Sequence, residues 1–264
     1  PILTLIFWRN LGGALATAPF ALKHRLDRTG VKWSIAAGVV LALHFIGFFM
    51  AMRMTSVAAG TALVALQPIF AAFFVRLSGG DIPSKAWLGM VVSFIGVLFI
   101  SGIDFSLDRR SFVGDIAAII SAALAALYVI FGSRAQQTLE TTSYTSICYG
   151  ICALTSLPIA IIGGYELINF AAREWWVLLA LIGGAQILGH SMFNSALKRV
   201  SPAVVSLIVF FEVPVAAIVA KIFTIGNQPS GFIVPGIILI LTGCTLVVLR
   251  TRQTKAVVEA MVNE

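Results

Sequence analysis

A short set of polar side chains lies inside long apolar runs, and their types limit the chemistry open to this chain. Arg9 sits between Trp8 and Asn10. His44 and Tyr128 each lie well inside such a run. Gln67 precedes Pro68, and Glu212 lies two residues before Pro214. Gln186, His190 and Asn194 recur at every fourth residue. A guanidinium is a planar fork that suits a carboxylate or a phosphate. A carboxylate in apolar surroundings takes up a proton or binds a cation. An imidazole exchanges protons near neutrality. Each residue also has a plainer role. Arg9 could snorkel, or hold Glu212 in a fixed salt bridge. The two histidines could be neutral and hydrogen-bonded, and the two prolines could be packing features. No carboxylate or thiol is spaced to complete a metal site with His44 and His190. Cys148 and Cys152 share a helix face and read as packing residues. With Cys244 they make an odd count and no disulfide framework.

The elements that must position these groups follow from composition. Of 264 residues, 59% are hydrophobic and 11% charged, with a mean hydropathy of +0.99. A soluble domain carries roughly 25% charged residues, so the expected solvent is lipid. The net charge of +7 could suit nucleic acid. The basic residues, however, sit in short loops between apolar runs, where they act as topology signals. Nine runs are about 20 residues long, the length that crosses a bilayer as a helix. They span about 2–22, 33–53, 57–77, 84–103, 112–133, 144–164, 175–197, 203–223 and 230–249. Barrel strands would be half as long and would alternate. An all-α polytopic bundle of about nine transmembrane helices is expected. An ionisable group in a helix centre costs about 2.5–3.5 kcal/mol on insertion scales, so it is expected to face a cavity or a partner. The candidate substrate-binding set is Trp8, Arg9, His44, Gln67, Tyr128, His190, Asn194 and Glu212, with Pro68 and Pro214 as candidate kinks.

Lysine and arginine give an orientation. With a cytoplasmic C-terminus, inner loops hold Lys23, Arg25, Arg28, Lys32, Arg76, Lys85, Arg134, Lys198, Arg199, Arg250, Arg252 and Lys255. Outer loops hold Arg53, Arg109, Arg110, Arg173 and Lys221. Inner loops are the ones expected to be rich in these residues. A shift of 146 residues aligns His44 with His190, Arg53 with Arg199, Pro68 with Pro214 and Ala71 with Ala217. It also aligns Gly80 with Gly226 and Pro83-Ser84 with Pro229-Ser230. Helices two to four thus repeat as helices seven to nine. The repeat unit is expected to have five helices, so its two copies are inverted, as in secondary transporters. The first copy would lack its first helix, and Pro1 would lie outside. The expected division is 1–110 for the first repeat, 111–250 for the second and 251–264 for a cytoplasmic tail.

These turn and proline patterns form an ordered set with several short runs. They are Phe7-Trp8-Arg9-Asn10 opening an Ala/Gly-rich helix, Gly114-Asp115 leading to Ala-Leu-Tyr128, Thr55-Ser56-Val57-Ala58-Ala59, and Val200-Ser201-Pro202-Ala203. Together they resemble the drug/metabolite transporter superfamily, specifically the EamA-type ten-helix carriers. The resemblance implies a multi-pass protein of the cell inner membrane that moves a small metabolite by alternating access. An amino-acid-like, drug-like or related amphipathic solute is expected, with export as the direction and protons as a candidate coupling ion. Partners are then the substrate and the bilayer, with no nucleic acid. No nucleotide motif points to ATP drive and no cofactor is called for, since Gly12-Gly13 and Gly183-Gly184 lie in or beside membrane runs. No nucleophile or metal set supports a membrane-embedded enzyme. The alternative reading is a channel or scaffold subunit.

Overall fold

In the computed structural model, residues 2–101, 108–222 and 233–262 are described. The second copy of the repeated turn, Gly226 with Pro229-Ser230, lies outside them. The described residues are helical apart from short connections, and no strand occurs among them. The helices are α1 (Ile2–Ala21), α2 (Arg28–Met54), α3 (Val57–Val64), α4 (Gln67–Leu77), α5 (Ser84–Ser101), α6 (Arg109–Ala135) and α7 (Thr141–Ile162). They continue with α8 (Ala172–Leu181), a π-helical segment (Ile182–Ser191), α9 (Met192–Ala196), α10 (Pro202–Val205), a 3₁₀ turn (Ser206–Ile208), α11 (Val209–Ile222) and α12 (Ile233–Val262). Among the described residues, six spans are long and apolar enough to cross a bilayer, and two shorter apolar helices follow them. Large apolar side chains such as Leu15, Ile120, Leu154, Leu188 and Ile238 are exposed, which suits a lipid solvent rather than water.

Three runs differ from their sequence outline. The run 57–77 is two helices, parted at Ala65–Leu66, because Pro68 has no N–H to continue the ladder and instead opens α4. The run 175–197 carries ten π-helical residues in its middle, where Gly183 and Gly184 weaken the α-helix. The last helix does not stop at residue 249 but continues to Val262.

The chain packs into two compact units. Unit 1 comprises residues 1–49 and 127–201, and unit 2 comprises residues 50–126 and 202–264. Each therefore draws helices from both sequence repeats. In unit 1, α1 lies antiparallel on α7. Ser143 and Ser146 donate to the carbonyls of Ala21 and Ala14, while Thr4 at the other end of α1 donates to Glu166 beyond α7. The chain leaves α7 through a left-handed Gly164 (φ +67°). There the N–H groups of Gly164 and Tyr165 close on Ile161 and Ala160, a Schellman end. At the opposite end, Asp27 caps α2 by accepting from the N–H of Thr29 and Gly30. The Gly30 N–H, the Thr138 hydroxyl and the remaining cap hydrogen bonds hold this exposed carboxyl below the usual carboxylate range.

In unit 2, α5 lies antiparallel on α12. A Cβ built on Gly89 would come within 2.5 Å of the Gly243 carbonyl oxygen, and one on Gly96 within 2.6 Å of the Gly236 oxygen. Gly89 and Gly96 correspond to Gly236 and Gly243 at a spacing of 147 residues. The two contacts are therefore one contact made twice, as across a local two-fold axis. Small residues permit this backbone approach in lipid. Around the seam, Met90, Val97, Phe210, Ile240 and Val247 form a closed core with Ala62, Ala72 and Leu207. Ala118, Ala122 and Ala126 of α6 are likewise fully buried.

Candidate functional site

The polar groups of unit 1 gather on α1, α2, the C-terminal part of α6, α7, the π-helical segment and α9. Asn194 is central and has no exposed surface. Its Oδ1 accepts from the Tyr128 hydroxyl at 2.9 Å, and its Nδ2 lies 2.6 Å from that oxygen and 3.4 Å from the Tyr149 hydroxyl. Tyr149 also meets the Ser191 hydroxyl at 3.2 Å. Ser191 donates to the Gln186 carbonyl, closing the i to i+5 spacing that the π-helix creates. Above it, the Gln186 amide donates to Asn10 at 3.1 Å. Below, the Asn194 carbonyl accepts from Gln136 at 2.9 Å, and Gln136 accepts from Thr141 at 2.7 Å. A strip of buried hydrogen bonds thus runs from Asn10 to Thr141 through helices of both repeats. Buried amides and hydroxyls this well paired hold one geometry, since losing a partner leaves a costly orphan.

Within the strip Gln186 Oε1 is buried without a hydrogen-bond partner among the described residues, and Arg9, which borders the strip, is less paired still. Its guanidinium carbon sits 4.3 Å above the centre of the Phe45 ring. The ring stands edge-on to His190 at 5.9 Å, and His190 stands edge-on to Tyr128 at 6.3 Å. His44 flanks Phe45 at 5.2 Å. Nε and Nη2 of Arg9 are buried and, among the described residues, have no hydrogen-bond partner. A desolvated cation–π contact contributes about 2 kcal/mol. Burying an ion costs several kcal/mol even after relaxation. Phe45 therefore offsets only part of the cost.

The other candidates fall elsewhere. Trp8 points to the end of α1, where its indole N–H donates to the Leu167 carbonyl at 2.7 Å and its ring meets Trp175 at 5.3 Å. It braces the α7–α8 connection instead of lining the strip. Gln67 and Glu212 belong to unit 2. Gln67 is buried at the start of α4 beside Pro68. Glu212 is exposed on its unit's surface, in the first turn of α11, while its neighbours Phe210 and Val213 are in the core. Pro214 lies within α11, downstream of the 3₁₀ turn. Cys148 and Cys152 are fully buried, and no group of histidine, cysteine or acidic residues among the described residues could hold a metal ion.

Tyr149, Ser191, Gln136 and Phe45 carry the site but are not evident in the sequence. A tyrosine or phenylalanine in an apolar run is ordinary, and Gln136 falls at a helix end that reads as a loop. Tyr149 does sit beside Cys148 and one turn before Cys152, on a face poor in bulky aliphatics. At the edge of the site, Glu140 pairs with Lys198 across two loops. The Lys198 ammonium holds this exposed carboxyl below its usual range.

Known proteins share this arrangement of helices. A solved crystal structure superposes with a TM-score of 0.77 over 96% of this chain and 89% of its own, at 18% identity, which speaks for the fold. An uncharacterized transporter of Bacillus subtilis, YxxF, is 26% identical over 87% of this chain and 75% of its own length. The pseudopaline exporter CntI of Pseudomonas aeruginosa is 25% identical over 92% of this chain and 85% of its own. Residues 1–102 and 112–249 both match the profile of one family. The chain is a multi-pass membrane protein and belongs to the EamA-like transporter family.

Proposed function

We propose that this protein is a secondary active carrier that exports a small amphipathic metabolite across the inner membrane by alternating access, with protons as the coupling ion. The observation that carries this reading is the buried strip of unit 1 with its unpaired Arg9, built from helices of both repeats. A site shared by inverted repeats near mid-membrane is the pattern of carriers that rock around a fixed substrate. The kinship with an exporter supports the direction. In this reading Arg9, His44, Tyr128, His190 and Asn194 contribute to substrate binding in unit 1, and Gln67 and Glu212 are proposed substrate-binding residues of unit 2. Trp8 fixes the end of α1. The break before Pro68 and the proline within α11 supply carbonyls freed from helix bonding. The C-terminus is cytoplasmic, by the bias of lysine and arginine between loops.

Glu212 is the acid assigned to proton exchange. Proteoliposomes loaded with a metabolite panel and held under an imposed pH gradient test both parts. The wild type is expected to release at least one panel member faster when the gradient is present. Glu212→Gln is expected to lose that acceleration while retaining slow substrate exchange. Normal gradient-driven release by Glu212→Gln would refute coupling at this residue. Failure of every panel member under every gradient would refute the carrier itself.

A further inference from the structure

We infer that the substrate of this site carries a carboxylate, and that the carboxylate seats on the Nε–Nη2 edge of Arg9 above the Phe45 ring. The inference rests on the carrier reading and names the substrate class. A guanidinium has one edge on which Nε–H lies parallel to an N–H of Nη2. That edge matches the two oxygens of a carboxylate and forms a fork-to-fork pair. The two buried and unpartnered nitrogens of Arg9 are the two that form it.

Unit 1 has no carboxylate of its own to fill the place. Its acids are Asp27, Glu140, Glu166 and Glu174, and none lies within the membrane runs. Asp27 caps α2, Glu140 pairs with Lys198, Glu174 accepts from the Ala171 N–H, and Glu166 is exposed beyond α7. The groups in electrostatic reach of Arg9 are Tyr128, Tyr149, Cys152 and His190. None supplies a fixed negative charge.

Charge and shape narrow the class. One buried guanidinium matches one carboxylate, whereas a phosphate dianion would leave an uncompensated charge in a desolvated place. Phe45, His44, His190 and Tyr128 present ring faces and edges, which suit a planar or apolar body attached to the carboxylate. The edge is shut from solvent in this conformation. A carboxylate that reaches it must move the covering side chains. Its binding therefore selects a different conformation, as a carrier needs.

Benzoate and benzamide are the probes, since they share a ring and differ in charge. Each is titrated against the purified full chain in nanodiscs, with the thermal unfolding midpoint as readout. Benzoate is expected to raise the midpoint saturably and benzamide to leave it unchanged. Arg9→Lys keeps the charge but loses the parallel edge, and is expected to weaken benzoate at least tenfold. Arg9→Gln is expected to abolish the response. Equal responses to benzoate and benzamide, no response to benzoate, a larger response to inorganic phosphate, or full benzoate affinity in either variant would each overturn the inference. Should Arg9→Gln fail to fold, unchanged affinity in a folded Arg9→Lys is decisive on its own. Binding is read here without transport. Silent proteoliposomes with intact Arg9-dependent binding would therefore fail the carrier reading and leave the carboxylate seat standing.

Discussion

Tyr128 and Asn194 are the best-paired residues of the strip, and their pairing sets what a small change there does. The phenol hydroxyl meets both polar atoms of the Asn194 amide, and Asn194 has no exposed surface. Tyr128→Phe removes that oxygen and strands Asn194 Oδ1, while Nδ2 retains only the longer contact to Tyr149. Interhelical hydrogen bonds in lipid average about 0.6 kcal/mol. A stranded buried group costs about 1–3 kcal/mol. The expected loss is therefore about 1 kcal/mol, read as a lower unfolding midpoint in detergent. Tyr128→Trp, which overfills the same place, is expected to cost more. A neutral Tyr128→Phe would mean that the amide finds another partner. The sequence marks Tyr128 and Asn194 because a polar group inside an apolar run stands out. It does not mark Phe45, whose role depends on Arg9 lying over its ring.

Helices carry the next level of constraint. The seven-residue spacing of Gly89 and Gly96, matched by Gly236 and Gly243, lets α5 and α12 approach backbone to backbone. A side chain there meets a carbonyl oxygen, which cannot rotate away. Gly89→Ala or Gly96→Ala is expected to destabilise unit 2 by about 1–3 kcal/mol, the usual cost of overpacking. Gly183→Ala serves as control, because a Cβ there meets nothing within 4 Å. Equal midpoints for Gly96→Ala and Gly183→Ala would remove the close approach from the account. Helix positions were legible because length and hydropathy alone define a crossing segment. The π-helical stretch was not. Gly183-Gly184 says only that an α-helix is weak there, and the choice of i to i+5 bonding depends on what Gln186 and Ser191 find around them. The glycine seam was also hidden, since it repeats at 147 residues and vanishes at a shift of 146.

At the level of the whole molecule, loops of unit 1 sort to two ends. Residues near Asp27, Thr138, Glu140 and Lys198 meet at one, and Thr4, Trp8, Glu166 and Leu167 meet at the other. In the proposed orientation, which rests on the bias of lysine and arginine, the first end is cytoplasmic. Single cysteines at Ser111 and Arg199 test this assignment with an impermeant maleimide, because Cys148, Cys152 and Cys244 are buried. Ser111→Cys is expected to react in intact cells and Arg199→Cys only after permeabilisation. Reaction of both from the same side would refute the orientation. The 146-residue correspondence of His44 and Pro68 with their counterparts was readable in the sequence. The division into units was not, because a repeat records sequence kinship while a unit records which faces pack.

That division bears on how the chain is made. Unit 1 needs residues up to 201, and unit 2 needs α12. When a ribosome has delivered the first repeat, α1 still waits for α7 and α5 still waits for α12. The first half is thus made before the main mates of α1 and α5 are synthesised. The glycine-lined face of α5 waits for α12. Assembly of each unit therefore spans both halves of the chain, and unit 2 closes only when α12 reaches α5.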